Sequence, residues 1–426
     1  MTTEATAVIV DGYSAGNFLP TAFRRLGVAS VHVLSTPRPI AGLAPPRLDR
    51  YQDAVVCADA DAVDGTVRAL AAYRPLAALA GAESGVPLAD ALSERLGLAT
   101  NGSGLSAARR DKYLMTEALR RAGIRCARQL ASADPGELAA WAAGSERGRP
   151  VVVKPISSSA ADGVYICRDP GEVERAARAV LAARDRFRRP NAAVLAQSYL
   201  DGTEYVVDVV TAYGHRYVSG VWRYEKLEIG GGRRVYRRNV LLDPGRSPVQ
   251  DLTAYVDDVL AALGIRHGPA HAEVIMTPDG PTLVEIAARL NGGMDAGFQD
   301  RCLGANQADL TALAYARPGE FRRRYGGRSY ERRLDAVVYH GRTRMDGTVA
   351  AVDRSVVDRI AALPTVHHVE AKLAPGDRIR PTVDLATSPL RVYQACADPA
   401  RLAADGVTIE DLEDLVYDVR PAGTPR

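Results

Sequence analysis

Lysine is rare in this chain, and its rarity marks candidate chemistry. Only four of the 54 basic residues are lysine: Lys112, Lys154, Lys226 and Lys372. Arginine presents a planar fork, whereas lysine places a compact charge on a flexible stem, which suits phosphate oxygens. Lys154 closes the apolar run 151–153, and Lys112 opens a predicted helix. Both positions favour a phosphate site, and chance retention is the alternative for either lysine considered alone.

A predicted β-hairpin carries the second candidate site. Two apolar runs within residues 271–286 flank a Pro-Asp-Gly turn, which is a hairpin signal. With 278–280 as the loop, the ladder begins at the pair formed by Thr277 and Pro281. This register fixes which side chains of the two strands share a face.

The register predicts a pair of opposed carboxylates. Glu273 falls directly opposite Glu285, and His271 shares their face because side chains alternate along a strand. Two carboxylates in apolar surroundings repel each other, and a hard divalent ion with oxygen ligands between them fits best. Arg289 adds a positive charge four residues after Glu285. The alternatives are glutamates that face water and a histidine with a structural role.

The hairpin that contains Lys154 has a long loop. Hairpin loops usually take about two to five residues, whereas the loop between Ile156 and Gly163 is longer, small and hydroxyl-rich. Ser157, Ser158 and Ser159 lie in this loop, whose backbone N–H groups can bind phosphate oxygens. The Walker A pattern is absent, and a plain flexible loop is the alternative.

A connector between two apolar strands is the third candidate segment. It consists of Gln197, Ser198, Tyr199 and Leu200, followed by an Asp-Gly turn. Backbone groups of such a connector can bind the edge of adenine, and Glu204 would then accept hydrogen bonds from ribose hydroxyls. The alternative is an ordinary strand pair.

The elements that must position these residues indicate an α/β chain. Strand patterns at 7–10, 31–34, 54–57 and 76–80 alternate with helical patterns at 17–26 and 63–73, which predicts an open parallel sheet. Further helices are predicted over 106–122 and 170–185, and residues 194–300 are richer in strands. The tail from about 333 indicates a small α+β lobe. At 426 residues the chain is too long for one ordinary core.

Composition excludes several classes of function. The net charge is only +3, and the arginines are dispersed with few aromatic residues near them, so nucleic-acid binding is not expected. The five cysteines show no CxxC spacing, which argues against zinc and disulfides and for a reducing compartment. No apolar run is long enough to span a membrane, and no signal pattern precedes Asp11. We expect a soluble cytoplasmic protein.

In this order, the three segments resemble the ATP-grasp superfamily, and within it the ligases that join free amino acids. The tracts 268–273 and 285–293, together with Val153-Lys154-Pro155 and the serine loop, carry the resemblance, which spans essentially the whole chain. It implies a mixed α/β and α+β fold of four parts. These are a Rossmann-like pre-ATP-grasp domain (1–104), a linker helix with lobe A (105–195), lobe B with the magnesium site (196–330) and a C-terminal α+β lobe (331–426).

The resemblance also implies roles for the candidate residues. The nucleotide would be ATP, with Lys112, Lys154, Lys226 and the serine loop at its phosphates, Gln197 to Leu200 at adenine and Glu204 at ribose. Glu273, Glu285 and Asn291 would hold magnesium, for which manganese can substitute. Arg289 would stabilise the transferring phosphoryl group, and His271 would contact an amino acid substrate. The commoner family pattern has asparagine at the position of Ala287, an acidic residue at Gln197 and glycines in place of the serines.

The implied reaction joins a carboxylate to an amine. The carboxylate attacks the γ-phosphate of ATP to give an acyl phosphate, and the amine then displaces phosphate, which yields a dipeptide or related amide. The alternatives are carboxylation of the biotin carboxylase type and a non-catalytic ATP-binding scaffold. The substrates are expected to be small molecules, and the tail either covers the site or supports a homodimer. The arginine- and alanine-rich composition indicates a bacterial chain, and the resemblance suggests specialised metabolism.

Overall fold

A computed structural model of the chain describes residues 5–37, 39–40, 42–57, 59, 61–156, 163–184, 190–229 and 233–421. Within these ranges the strands form four sheets, and the bounds of each element follow below in chain order. No helix in the described part of the chain combines the length and apolarity that a membrane crossing needs.

The first sheet is parallel, as the sequence predicts. Its elements are β1 (Thr6–Val10), α1 (Leu19–Arg24), β2 (Ala29–Leu34), β3 (Asp53–Val56), α2 (Val63–Ala71), β4 (Pro75–Ala80) and α3 (Val86–Arg95). The helix predicted over 17–26 is a 3-10 turn, Ser14–Phe18, followed by α1, where Pro20 occupies the first turn that tolerates proline. The strand order is β3-β2-β1-β4, so the order reverses at β1 and leaves a crevice between the carboxyl ends of β1 and β4.

The helix predicted over 106–122 is interrupted. A 3-10 turn, Ala107–Arg109, precedes α4 (Lys112–Arg121). Asp111 has extended backbone, and its side chain accepts a hydrogen bond from the Leu114 N–H at 2.8 Å, which caps a new helix. Lys112 is therefore the first residue of α4, as predicted.

The second sheet is antiparallel and carries Lys154. Its elements are β5 (Gln129–Ser132), α5 (Pro135–Ser145), β6 (Val151–Pro155), β7 (Tyr165–Cys167), α6 (Pro170–Ala182) and β8 (Val194–Ser198). The order is β5-β8-β6-β7, and α5 and α6 share one apolar core with β6 and β8. The predicted β6–β7 hairpin is confirmed, and Ser157, Ser158 and Ser159 lie outside the described residues. The boundary proposed after residue 195 falls inside β8, and the helix predicted to reach 185 ends at Ala182.

A nine-stranded sheet forms the largest layer. Its strands and the helices beside them are β9 (Thr203–Ala212), β10 (His215–Ile229), β11 (Arg233–Leu241), α7 (Val249–Ala262), β12 (Gly268–Thr277), β13 (Gly280–Ala287), α8 (Ala296–Leu303), α9 (Gln307–Ala316), α10 (Pro318–Tyr325), β14 (Arg328–Ser329) and β15 (Asp335–His340). The order is β13-β12-β9-β10-β11-β15-β19-β17, with β14 beside β10.

The tail contributes to this sheet and adds a small one. Its elements are β16 (Gly347–Val352), α11 (Arg354–Ala361), β17 (Val366–Ala371), β18 (Arg378–Ile379), β19 (Leu390–Cys396), α12 (Pro399–Leu412) and β20 (Tyr417–Pro421). β16, β18 and β20 form the small sheet. Because β15, β17 and β19 continue the large sheet, hydrogen bonding runs across the boundary proposed near residue 330.

The connector after β8 crosses between two sheets. β8 belongs to the four-stranded sheet and β9 to the nine-stranded sheet, so the reading of this segment as an ordinary strand pair is wrong. Gly202 lies against the carbonyl of Met276, where a Cβ would stand only 2.1 Å from the carbonyl oxygen. This close approach requires glycine and fixes the point at which the chain enters β9.

The β12–β13 hairpin contains the predicted carboxylate pair, but its loop length and register differ from the prediction. Thr277 pairs with Gly280, so the loop has one residue fewer than predicted. A register shift between Glu273 and Val274 then restores the predicted pairing of Glu273 with Glu285. A β-bulge of this kind adds one residue to one strand and is common beside active sites.

Candidate active site

One face of the nine-stranded sheet collects the polar candidates. Four cross-strand pairs lie on it: Glu273–Glu285, His271–Asp208, Tyr224–Asn239 and His340–Arg391. Directly opposed residues project to the same face, and the strand alternation keeps these pairs on a common side. The face therefore runs from the two glutamates at one end to Arg391 near the other.

Two buried lysines meet the carboxylate pair. Lys112 Nζ lies 2.5 Å from Glu285 Oε2, and Lys154 Nζ donates to Gln197 Oε1 at 2.9 Å. Burial opposes ionisation of Glu285, but Lys112 outweighs it and lowers the pKa of that carboxyl. Burial also opposes the charge on Lys112, and Glu285 and Glu83 outweigh it and raise the pKa of the lysine. α4 thus brings a fixed positive charge to Glu285.

Lys154 has a different electrostatic environment. Burial lowers the pKa of Lys154 to about 8, and the neighbouring charge of Lys112 acts in the same direction. Gln197 gives this lysine a neutral partner. An anion that enters beside Lys154 would therefore meet a cation with no carboxylate hydrogen-bonded to it among the described contacts.

His271 lies between two acids. Its Nδ1 is 2.7 Å from Asp208 Oδ1, and its Nε2 is 3.6 Å from Glu273 Oε1. Burial disfavours the imidazolium, but Asp208 and then Glu273 outweigh it and raise the pKa of His271 to about 9. Asn291 Nδ2 donates to the second oxygen of Asp208 at 2.9 Å. The histidine is therefore a cation at neutral pH and balances both acids.

Glu204 is held by protein groups. Lys226 Nζ makes an ion pair with Glu204 Oε2, and the Tyr236 hydroxyl donates to Glu204 Oε1 at 3.0 Å. Burial raises the pKa of Glu204, although Lys226 acts against the shift. Lys226 thus contacts the predicted ribose acceptor, and it lies 4.4 Å over the ring of Tyr236.

Arg289 links the large sheet to the first unit, which is the parallel sheet of β1 to β4 with its helices. Its Nη2 lies 3.6 Å from Glu83 Oε2, and its Nη1 donates to the Leu290 carbonyl at 2.9 Å. Glu83 follows β4, at the switch point of the parallel sheet. The predicted catalytic arginine therefore lies where the two units meet.

A cavity of about 270 Å³ adjoins His271, the glutamate pair and Arg289. Its wall includes Glu273, Glu285 and Arg289 on one side and residues after β1 and β4 on the other. At its far end it reaches His340 and Arg391. Ligands of open α/β sheets bind at such a switch-point crevice, so the first unit contributes to the substrate cavity. The site can thus hold a ligand larger than the phosphates alone.

The donor atoms fit magnesium bound together with a nucleotide. The described residues contain no cluster of three or more His, Cys, Asp or Glu side chains arranged for a metal. Magnesium is commonly bound by one or two carboxylates plus substrate phosphates, and Glu273 and Glu285 supply such a pair. Asn291 Oδ1 accepts from the Gly293 N–H at 2.8 Å, and Asn291 Nδ2 donates to Asp208 rather than reaching either glutamate.

Sequence reasoning missed Asp208, Glu83, His340 and Arg391. Asp208 interrupts the otherwise apolar run 205–210, and a carboxylate in a buried strand requires a partner, which was an available signal. Glu83 follows a parallel strand at its carboxyl end, the edge where ligands bind. Arg391 and His340 are separated by fifty-one positions, and only the β15–β19 pairing brings them together.

Comparison with known proteins gives a consistent family. The model of the ATP-grasp domain matches residues 147–296. Dapdiamide A synthase of Enterobacter agglomerans is 36% identical over 419 residues, which cover 96% of each chain.

Two solved structures show the same fold. The L-amino acid ligase from Bacillus licheniformis superposes with a TM-score of 0.75 at 18% identity and covers 99% of both chains. The biotin carboxylase domain of the 2-oxoglutarate carboxylase from Hydrogenobacter thermophilus, solved with ADP, magnesium and bicarbonate, gives a TM-score of 0.64 at 15% identity. The match covers 97% of this chain and 90% of the carboxylase chain. Together with the full-length similarity to a synthase, these findings establish that the chain belongs to the ATP-grasp carboxylate–amine ligases, which bind ATP and form amide bonds through an acyl phosphate.

Proposed function

We propose that this chain joins the carboxylate of one amino acid to the amine of a second, in the cavity above the nine-stranded sheet. The observation that carries the proposal is the meeting of Glu273, Glu285 and Arg289 in the wall of one cavity, with Lys112 paired to Glu285 behind it. Lys154 interacts electrostatically with both glutamates. The similarity to dapdiamide A synthase over nearly the full length supports synthesis of an amide, and the fold shared with an L-amino acid ligase supports amino acid substrates.

The first step is phosphoryl transfer. A carboxylate oxygen attacks the γ-phosphorus, the bond to the bridging oxygen of ATP breaks, and ADP leaves. Lys112 and Lys154 orient the phosphates, and Arg289 balances charge on the transferring group. Glu273 and Glu285 would hold magnesium, which neutralises charge on the phosphate oxygens. To bind magnesium, Glu285 would give up part of its contact with Lys112, and the Lys112 ammonium would then contact a phosphate oxygen.

The second step forms the amide. The amine nitrogen attacks the acyl carbon, the bond from that carbon to the phosphate oxygen breaks, and phosphate leaves as the nitrogen loses a proton. His271 is already protonated at neutral pH, so its role is to donate to a bound oxygen or to position Glu273 rather than to accept that proton. The serine loop at 157–159 and the connector 197–200 complete the proposed nucleotide site, with Glu204 at ribose and Lys226 exchanging from Glu204 to a phosphate.

The decisive experiment measures ADP release with ATP and magnesium across all pairs of the twenty amino acids, with bicarbonate as a further acid. A product whose mass is the sum of two amino acids less one water supports the proposal. ADP release that needs bicarbonate would instead favour carboxylation. If no ADP is released with any amino acid pair or with bicarbonate, both reactions are contradicted.

The matched variants are Glu285→Gln and Glu331→Gln. Removing the charge at Glu285 should cut kcat by about 100-fold or more, since it weakens binding of the magnesium that would neutralise charge on the phosphate oxygens. Glu331 is exposed and lies outside the cavity, so its variant should keep the wild-type rate. Equal rates in both variants would contradict a catalytic site built on the glutamate pair.

Three further assignments concern the compartment, the division of the chain and the oligomeric state. All five cysteines are free thiols, which supports a reducing compartment such as the cytoplasm. The four-part division of the chain and the homodimer also stay proposals. Size measurement in solution tests the dimer, and limited proteolysis tests the division.

A further inference from the structure

The far end of the cavity holds a donor and an acceptor that the proposed chemistry leaves unused. His340 on β15 is the cross-strand partner of Arg391 on β19, and both side chains line the cavity. Leu385 lies beside them in the wall. Glu273 and Glu285 of the phosphate site lie on β12 and β13, at the other end of the sheet order.

Arg391 has a hydrogen-bond donor to spare. Its Nη1 donates to Glu370 Oε2 at 3.2 Å and to the Tyr393 hydroxyl at 3.4 Å. Its Nε is buried and has no hydrogen-bond partner among the described residues. A buried guanidinium N–H is rarely left unpaired, so this atom indicates a missing acceptor. Glu370 supplies the negative charge that pairs with Arg391. The Glu370 side chain is 43% exposed, so solvent weakens its neutralisation of the arginine charge.

A second basic side chain, Lys372, interacts electrostatically with Arg391. Burial, and after it the charge of Arg391, lower the pKa of Lys372 to about 7. Lys372 Nζ donates to the Leu385 carbonyl at 3.4 Å, a neutral acceptor. Asp384, the other nearby acid, accepts hydrogen bonds from the N–H and hydroxyl of Thr387. This end of the cavity is therefore suited to an anion.

His340 supplies the complementary acceptor. Burial and the charge of Arg391 hold the pKa of His340 well below its ordinary value, so the ring is neutral. Its Nε2 lies 3.2 Å from Asn239 Oδ1, which assigns the ring proton to Nε2 because an amide oxygen only accepts. Nδ1 then carries a lone pair, and it too is buried without a hydrogen-bond partner in the described part of the chain.

We propose that this end of the cavity binds the amine substrate as an α-amino acid, with its free carboxylate on Arg391 and an N–H of its amino group on His340 Nδ1. A simple anion would satisfy Arg391 alone and leave the histidine acceptor unpaired. An α-amino acid presents an anion and a donor a few atoms apart, which matches a cross-strand pair of side chains. The inference rests on the proposed function, and it names the class of the second substrate and the residues that hold it.

The test compares each amino acid with its carboxamide, which keeps the amine and removes the charge of the carboxylate. Binding to the full chain is measured by ligand-detected NMR with ADP and magnesium present, and therefore without turnover. Charged hydrogen bonds contribute enough that the preferred amino acid should bind roughly 10- to 100-fold more tightly than its carboxamide. The absence of such a preference in the wild-type chain would overturn the proposal.

The variants separate anchoring from folding. Arg391→Met should abolish the preference for the free acid, whereas Arg391→Lys should keep part of it. His340→Phe should weaken the acid and the carboxamide alike, because both carry the amine. Arg359→Met, at an exposed site on α11, is the matched control and should behave as wild type. Retention of the wild-type preference in Arg391→Met would overturn the assignment.

Turnover then distinguishes this inference from the ligase proposal. In Arg391→Met the KM for the amine substrate should rise by roughly 10- to 100-fold while the KM for ATP stays unchanged, and an intact KM for ATP also shows a folded nucleotide site. Equal increases in both KM values would indicate a structural role and overturn the anchor. A chain that binds amino acids with the expected preference but forms no amide would contradict the ligase reaction and leave the anchor supported.

Discussion

Lys112 and Lys154 lie in one buried site, yet their surroundings move their pKa values in opposite directions. Lys112 is paired with Glu285, which holds its proton, whereas Lys154 has the neutral Gln197 as its partner. Burial therefore dominates at Lys154 and lowers its pKa to about 8. The first lysine is a constant charge, and the second loses its charge within the range of an ordinary pH titration.

This difference predicts how ATP binding depends on pH. Because the free enzyme loses the proton of Lys154 above pH 8 and bound phosphate favours the charged form, the Kd for ATP should rise by about fivefold between pH 8 and pH 9. Calorimetric titration with magnesium present, but without the other substrates, measures it. Lys154→Arg should remove the rise and Lys154→Met should give weak, pH-independent binding. An unchanged rise in Lys154→Arg would show that another group titrates.

The raised pKa of His271 predicts that the stability of the fold depends on pH. Its pKa is raised from 6.5 to about 9 in the folded chain, so its contribution is fully present below pH 6.5 and is lost as the pH rises to 9. The stability advantage of wild type over His271→Gln should therefore shrink by on the order of 3 kcal/mol across this range. Urea unfolding at several pH values measures it. His368→Gln, at an exposed histidine, should keep the wild-type slope.

At the residue scale, sequence predicted the groups that occur in recognisable patterns. The pair Glu273 and Glu285 followed from strand alternation around one turn, and the structure confirms their opposition. Partners such as Asp208 and Glu83 come from other elements, and their approach depends on sheet order. Sequence spacing contains no information on that order, so these contacts required the structure.

Among the elements, α4 shows how a cap positions a functional side chain. Asp111 ends one turn, accepts from the Leu114 N–H and begins the helix whose first residue is Lys112. Helix patterning alone predicted one continuous helix from 106, because the residues on both sides favour helix. The cap, a local competitor for the backbone N–H groups, decided the break.

This cap can be tested directly. Asp111→Ala should cost about 1 kcal/mol of stability and weaken ATP binding, because the first turn that carries Lys112 frays. Asp111→Asn keeps a good cap and should behave nearly as wild type in both respects. Thermal unfolding and the Kd for ATP measure the two effects. If the alanine variant binds ATP as wild type does, the cap is not what places Lys112.

The β12–β13 hairpin illustrates the limit of register prediction. The predicted loop was one residue too long and the ladder contains a bulge, yet the two differences cancel at Glu273. A bulge near Val284 has no clear sequence signature, since valine is ordinary in regular strands. The carboxylate pair was thus predicted correctly, whereas the backbone between the pair and the turn was not.

At the scale of the whole molecule, one buried arginine ties three parts together. Arg109 contacts Asp90 on α3 through Nε and Nη2, at 3.2 and 2.9 Å, and its Nη1 donates to the Leu263 carbonyl after α7 at 2.9 Å. It also donates to the Gly102 carbonyl, in the turn-rich segment just before the proposed domain boundary at residue 104. That segment is therefore packed between the units, which turn-forming residues alone do not reveal.

Arg109 provides a test of this connection. Arg109→Met leaves Asp90 buried without its partner, and breaking such a pair typically costs about 3–5 kcal/mol. The double variant with Asp90→Asn should recover part of this loss, because the unpaired charge is gone. Arg359→Met should stay within about 0.5 kcal/mol of wild type. Urea unfolding with calorimetry measures all three, and a loss below about 1 kcal/mol in Arg109→Met would contradict the role.

The parallel first sheet and the presence of several units were predictable, because each follows from local periodicity. The continuation of the large sheet into the tail was not, since β11 pairs with β15 across about a hundred residues of chain. The sequence predicts a boundary between the tail and the preceding lobe near residue 330, whereas backbone hydrogen bonds unite the two.

This continuous sheet also has a consequence for how the enzyme diversifies. Glu273 and Glu285 lie on β12 and β13 at one edge, and four strands, β9, β10, β11 and β15, separate them from Arg391 on β19. Mutations on β15 and β19 therefore change no cross-strand neighbour of the two glutamates. New amide products, whether through natural divergence or laboratory evolution, can therefore arise from substitutions on β15 and β19. The glutamate pair on β12 and β13, which serves phosphoryl transfer, is then inherited unchanged.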